Sequence, residues 1–177
     1  MRITKNLAYI AGLWKADRGS TAKGVVAIKN KQWPLLKKFR KFLEKLGNKV
    51  KEREVVGYSR VKEVYTCDTS LRRQIEHIIK NRETLTREKL LAYFGGMIDG
   101  DGTVDANKSV FRIYYSHNEE EDAEKDKRIL MEKFKQEAVV KRYNVPTLCI
   151  HNPRKFARMI LPFVNHPAKR RELLKMT

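Results

Sequence analysis

The chain has 177 residues and 41% hydrophobic content, enough for one compact domain or two small pseudo-symmetric halves. Its 39 Lys and Arg against 21 Asp and Glu leave a formal net charge of +18, spread from Arg2 to Lys175. That one-signed excess is more than solubility requires and predicts an anionic polymer partner, nucleic acid first; a membrane-surface protein would gather its charge on one helix or tail, and the apolar runs are far shorter than the ~20 residues of a membrane span.

In chain order, Thr4 is placed to cap a first helix running to about Asp17. No signal peptide precedes it, so an intracellular chain, cytoplasmic or nucleoid-associated and not secreted, is expected. A tight connection through Gly19 and Gly24 leads to a strand over Val25 to Lys29. Trp33 to Leu46 has helical spacing in Leu35, Leu36, Phe39, Phe42, Leu43 and Leu46, ends at Gly47, and carries Lys37, Lys38, Arg40, Lys41 and Lys45 on a solvated face. Strands are expected over Lys49 to Val56 and Lys62 to Cys67, turning at Gly57-Tyr58-Ser59. Asp68, Thr69 or Ser70 caps a helix through Leu71, Ile75, Ile78 and Ile79, and Asn81 to Leu85 is a short polar link. Thr86 is placed to cap the next helix.

Gly102 to Asp105 and Ser109 to Ser116 read as a hairpin turning at Ala106-Asn107. A helix follows from Glu120 to Gln136, whose acidic start, Glu119 to Asp122, suits the positive end of the helix dipole better than it suits a metal. Ala138 to Tyr143 and Thr147 to His151 read as strands, Asn152-Pro153 as a capped helix start, and Asn165-His166-Pro167 as the opening of a last helix. Cys67 and Cys149 lie one per half near strand ends and are expected to be small buried side chains in a reducing setting; zinc would need paired cysteines.

The chain also contains a doubled segment. Leu7-Ala8-Tyr9-Ile10-Ala11-Gly12-Leu13-Trp14-Lys15-Ala16-Asp17 recurs as Leu91-Ala92-Tyr93-Phe94-Gly95-Gly96-Met97-Ile98-Asp99-Gly100-Asp101. The offset is constant, since 91 − 7 and 101 − 17 are both 84. Ala8, Gly12 and Ala16 share one helix face, and so do Ala92, Gly96 and Gly100. A face of Ala and Gly lets a partner backbone come close. Glycine inside a helix costs roughly 1 kcal/mol against alanine, so Gly12 and Gly96 imply such a contact. Two like halves meeting along these helices would bring Asp17 and Asp101 together.

The segments Ile10 to Asp17 and Phe94 to Gly102 resemble the signature of the LAGLIDADG homing endonucleases, in the single-chain, two-repeat form. The second copy is close to the signature; the first carries Lys15 at a usually acidic position and Arg18 where the last glycine belongs. The resemblance covers nearly the whole chain. It implies an α+β fold of two pseudo-symmetric α-β-β-α-β-β-α repeats, 1–80 and 86–177 joined by 81–85, with antiparallel saddle-shaped sheets packed on helices. The hairpin after the first motif is expected to be truncated, because its strand begins only a few residues beyond Asp17.

By the same resemblance, Asp17 and Asp101 would hold Mg²⁺ or Mn²⁺ with help from the carbonyls of Ala16 and Gly100, and a basic residue near each acid would assist. Lys31 fills that place in the first half; the second has Ser116-His117-Asn118, with no lysine, so unequal cutting of the two strands is expected. Mg²⁺ keeps several waters and needs only one or two carboxylates plus a phosphate. Candidates for DNA contact are Lys23, Lys29, Lys49, Lys51, Arg53, Arg60, Lys62, Arg112, Tyr114, His117, Lys141 and Tyr143, of which strand alternation allows about half to face DNA. The expected function is site-specific, metal-dependent cleavage of double-stranded DNA at a long asymmetric site by a monomeric, intron-encoded enzyme. Two alternatives stay open: an intron maturase that binds the RNA of its host intron, and a nuclease-dead DNA-binding protein.

Overall fold

The computed structural model describes residues 3–177; Met1 and Arg2 lie outside the described residues. Helix α1 (Lys5–Ala16) begins where extended Thr4 turns its hydroxyl back to accept the Leu7 N–H at 3.1 Å. The first half continues with β1 (Val25–Asn30), α2 (Trp33–Lys45), β2 (Lys51–Glu54), β3 (Lys62–Cys67) and α3 (Thr69–Lys80), the last capped by the Asp68 carboxylate. A short 3-10 turn, Arg82–Thr84, leads to α4 (Arg87–Asp101). The second half adds β4 (Gly102–Asp105), β5 (Val110–Tyr114), α5 (Glu120–Phe134), β6 (Ala138–Arg142), β7 (Pro146–Ile150), α6 (Arg154–Ile160) and α7 (Pro167–Met176). No helix among the described residues is long and apolar enough to cross a membrane.

The two sheets are antiparallel and separate, in the orders β1-β3-β2 and β4-β5-β7-β6. The fold is the expected mixed one, with one strand fewer in the first half. There the outer partner of β1 shrinks to a single bridge, Arg18 to Ile28. Gly19 N–H donates to the Ala27 carbonyl and Lys29 N–H to the Asp17 carbonyl, each at 3.0 Å, on either side of it. Residues 18–24 are too few to turn and pair for longer, so this half runs α-β-α-β-β-α rather than α-β-β-α-β-β-α.

The axis of the molecule is the α1–α4 pair. A Cβ built on Gly12 would lie 2.0 Å from the Tyr93 carbonyl oxygen, and one built on Gly96 would lie 2.1 Å from that of Tyr9. Tyr9 and Tyr93 are themselves equivalent positions of the repeat, so the contact is pseudo-twofold. The small faces therefore meet as the repeat predicts, backbone on backbone, with Leu13, Trp14, Tyr93, Phe94 and Ile98 buried around them. In the second half, Phe156 gathers Phe94, Phe111 and Phe134 at ring-centroid distances of 6.4, 5.8 and 6.0 Å.

Several local expectations are corrected. Thr86 precedes α4 but its side chain makes no capping bond. Asn152 has a left-handed φ of 44°, and Pro153, not Asn152, occupies the cap position of α6 without a side-chain bond. Cys67, the last residue of β3, is exposed, whereas Cys149 is buried as expected. The supposed polar link is anchored in the core. Arg82 is 1% exposed and donates to Asp126, to the Asp122 carboxylate at 2.9 Å and to the Ile79 carbonyl at 2.6 Å. Tyr115 completes Asp126 at 2.8 Å, and Lys15 of α1 reaches Glu119 and Asp122 at 2.9 and 2.6 Å. This network ties the first half and the link to the acidic start of α5, which gives that acidic run its structural role.

Gly96→Ala is expected to lower unfolding stability by about 2–3 kcal/mol, the cost of forcing extra volume into a closed contact. Urea unfolding would show it as a lower midpoint with an unchanged slope; a midpoint equal to that of the native chain would contradict the backbone contact.

Candidate active site and nucleic-acid interface

Because α1 and α4 touch along their whole small faces, their C-terminal ends emerge together. A Cβ on Gly100 would lie 2.4 Å from that of Ala16 and 3.2 Å from the carboxyl carbon of Asp17. The structure thus sets Asp17 against the last turn of α4, one residue from Asp101. A cleft of about 410 Å³ opens there, lined by Asp17, Asn30, Lys31, Asp99, Gly100 and Lys169 among others.

Burial pushes the Asp17 carboxyl up to about 7, reinforced by the charges of Asp101 and Asp99 and opposed by an Asn30 hydrogen bond and by Lys169. Asp101 keeps a side open to solvent. Its carboxyl is still pushed up to about 6, by burial first and by Glu119, against the pull of Lys169. The charge of Asp101 thus helps Asp17 keep a proton to higher pH. Such a pair favours a cation at the helix ends. Among the described residues no three His, Cys, Asp or Glu side chains cluster to hold an ion. The donor set is two carboxylates plus carbonyls, which suits a hard cation that keeps waters and takes phosphate oxygens.

The neighbours of the acids are only partly the expected ones. Lys31 is exposed in the cleft, but Asn30 is the residue that touches Asp17, its amide donating to Oδ2 at 2.5 Å. Asn30 also accepts the Gln32 N–H at 2.7 Å, which fixes its amide before the start of α2. Of the two carbonyls, that of Gly100 accepts from Lys169 Nζ at 2.9 Å, and Lys169 also takes the carbonyls of Ile98 and Asp99 at 2.7 and 2.8 Å. Burial lowers the pKa of Lys169, while Asp99, Asp17 and Asp101 draw it back up. Neither Asn30 nor Lys169 was a sequence candidate: Lys169 comes from the last helix, 68 residues beyond Asp101 (169 − 101), with no motif around it.

Positions 15 and 99, equivalent in the repeat, carry opposite charges with opposite tasks. Lys15 binds the α5 acids. Asp99 is fully buried and accepts from Tyr9 Oη at 2.6 Å, from the Asn165 N–H at 2.8 Å and from the His166 N–H at 2.9 Å. It thereby anchors the start of α7, the helix that carries Lys169.

Strand register sorts the DNA-contact candidates. Lys29 stands opposite Glu63, as does Arg53, and Lys51 stands opposite Tyr65, so these three share the face of the first sheet turned from the core residues Val26, Ile28 and Val64. Arg53 is engaged there by Glu63 at 2.5 Å. Lys62 falls on the other face, 5.7 Å from the Trp33 ring and 3.4 Å from Glu52. Among the candidates it is thus a rim cation, beside the exposed Arg60, whose φ is 64°. Lys23 and Lys49 are exposed in loops outside the strands, and His117 in the turn before α5. In the second sheet, Arg112 opposes Cys149 while Tyr114 and Lys141 both oppose Thr147, so these candidates share the open face. Tyr143 joins them, its ring 5.1 Å from the Arg112 guanidinium.

A carboxyl that titrates near 7 when folded, and near 3.9 when unfolded, holds a proton in the folded state that the unfolded state has already lost. Its stabilising contribution is present below about pH 4 and is lost as pH rises to about 7. Asp17→Asn is therefore expected to gain thermal stability relative to the native chain between pH 4 and pH 8 in metal-free buffer. Melting curves at pH 4, 6 and 8 check this, and a constant difference would count against the crowded diacid.

The model of the LAGLIDADG-like domain family matches residues 4–86. A search of curated protein sequences gave no match. Among solved structures, I-DmoI in complex with DNA and Ca superposes with a TM-score of 0.70 at 20% identity, over 89% of each chain. A variant of I-DmoI with its target DNA in the presence of Mn gives 0.71 at 19% identity, over 92% of this chain and 97% of that one. Full-length DUF199/WhiA from Thermatoga maritima gives 0.70 at 14% identity, over 99% of this chain and 61% of that one. Residues 4–86 thus match the LAGLIDADG-like domain family, and the chain as a whole has the fold of the homing endonuclease I-DmoI.

Proposed function

We propose that this protein is a metal-dependent endonuclease that hydrolyses phosphodiesters of double-stranded DNA at a long, asymmetric site, as a monomer of intron-encoded origin with repeats over 1–80 and 86–177. The observation that carries this reading is the delivery of Asp17 and Asp101 to one place by two helices that nothing else requires to end in acids: a carboxylate at a helix C-terminus opposes the dipole. The complexes of I-DmoI with DNA and with Ca or Mn support the same reading by similarity.

Asp17 and Asp101 would hold Mg²⁺ or Mn²⁺ with the carbonyls of Ala16 and Gly100; a bound ion there supplies charge neutralisation at the phosphate and an acidified water. Asn30 sets the orientation of the Asp17 carboxylate and leaves its second oxygen available. Lys31 stands exposed in the cleft, where it can meet a phosphate. The open faces of the two sheets present Lys29 and Lys51 on one side and Arg112, Tyr114, Lys141 and Tyr143 on the other, side-chain types that read base edges and backbone in a major groove. These sets differ in number and kind, so the two half-sites of the target differ too. With His117 in place of a second lysine, one strand is cut faster.

Incubation with a randomised duplex library in Mg²⁺ is expected to yield cut ends that share one long sequence. Asp101→Asn should reduce their rate of appearance roughly a thousandfold, the worth of several kcal/mol of lost charge stabilisation. Duplex selectivity without any cutting would point to a DNA-binding scaffold, and absence of both to RNA.

A further inference from the structure

Lys169 is the third residue of α7 (Pro167–Met176), where a cation opposes the dipole of its own helix. Its ammonium is turned instead to the end of α4. An ammonium has three donors and no acceptor, and the carbonyls of Ile98, Asp99 and Gly100 take all three at 2.7, 2.8 and 2.9 Å. Held this way, Lys169 has no N–H left for a substrate. It lies within electrostatic reach of three carboxylates, Asp17, Asp99 and Asp101, and shares the cleft wall with the first two and with Lys31 and His166. It also occupies one of the oxygens, that of Gly100, that a divalent ion at the two acids would need. The first half has no such device: no side chain donates to the Ala16 carbonyl among the described residues, and no helix of that half corresponds to α7.

We propose that Lys169 is a positioning residue that serves as the resident cation of the two-acid centre: it holds the end of α4 and the Gly100 carbonyl until a divalent ion takes that oxygen and displaces the ammonium. The proposal rests on the reading of Asp17 and Asp101 as a metal site. It goes further in making ion entry on the Asp101 side an exchange of one cation for another. Asp99 is part of the device, because its bonds to the Asn165 and His166 N–H groups fix the base from which Lys169 reaches.

The test is calcium binding by the full chain, read by thermal melting and by titration calorimetry, with no substrate present. Lys169→Met keeps the stem and removes the charge. It is expected to melt below the native chain in metal-free buffer, to gain more from calcium than the native chain does, and to bind calcium roughly tenfold more tightly. A melting gap that calcium leaves unchanged, with equal affinities, would overturn the proposal and leave Lys169 a helix cap. Should that variant not fold, Lys169→Gln provides the check, since a neutral amide can still donate to these carbonyls but brings no charge; it should also bind calcium more tightly than the native chain, and equal affinity overturns the proposal. Asp101→Asn separates the two levels. If the calcium response survives in that variant, the metal reading itself fails; if it is lost there but unaltered in Lys169→Met, only the role of Lys169 fails.

Discussion

The rest of the structure depends on how closely two backbones approach. At Gly12 and Gly96 the chains of α1 and α4 meet with no room for even a methyl group. Ordinary helix pairs stand 8–10 Å apart because side chains fill the space between them; here the spacer is gone. That closeness brings two helix ends side by side and sets a carboxyl of one helix against the final turn of the other. The cost is local. Two glycines weaken their helices, and burial raises the pKa of both acids. Each of these would be a poor choice in a helix chosen for stability alone, and together they make sense at a site meant to receive charge.

The fold was legible where a residue's role is set by its own element. The apolar spacing of Trp33 to Leu46 gives α2, and Asp68 is a true cap because its carboxylate needs only the next turn. Legibility failed where distant groups decide. Arg82 looks like part of a polar link, yet its partner Asp126 lies 44 residues on and draws it into the core. Lys15 looks like decay of a motif, yet its partners are 104 and 107 residues away. Asn152-Pro153 looks like a capped start, but the chain leaves β7 through a left-handed residue, and α6 begins at Pro153 with no side-chain capping bond.

The candidate site divides along the same line. Asp17 and Asp101 are legible as a pair because a repeat marks equivalent positions without knowledge of the fold, whereas the carbonyls of Ala16 and Gly100 enter only through the family resemblance. Lys31 is legible as the cation that follows β1, whereas Asn30, the side chain that meets Asp17, is not, because each residue at a strand end reverses the face and pattern alone leaves that parity open. The same parity moves Lys62 away from Lys29, Lys51 and Arg53. Lys169 had no periodic or motif signal at all; only the path of the chain after β7 brings it home.

The opposite charges at positions 15 and 99 have a historical consequence. A gene duplication begins with two identical halves, and either half could then pair with a copy of itself. Here that route is closed. A pair of first halves would leave the buried Lys15 without the acidic start of α5 that now receives it, because Glu119 and Asp122 belong to the second half. A pair of second halves would present Asp99 to the acidic start of α5, which now holds Lys15. Each half has become a lock for the other's key, so neither is expected to form a self-matched dimer, and splitting the gene at the link would yield two proteins that can find only each other.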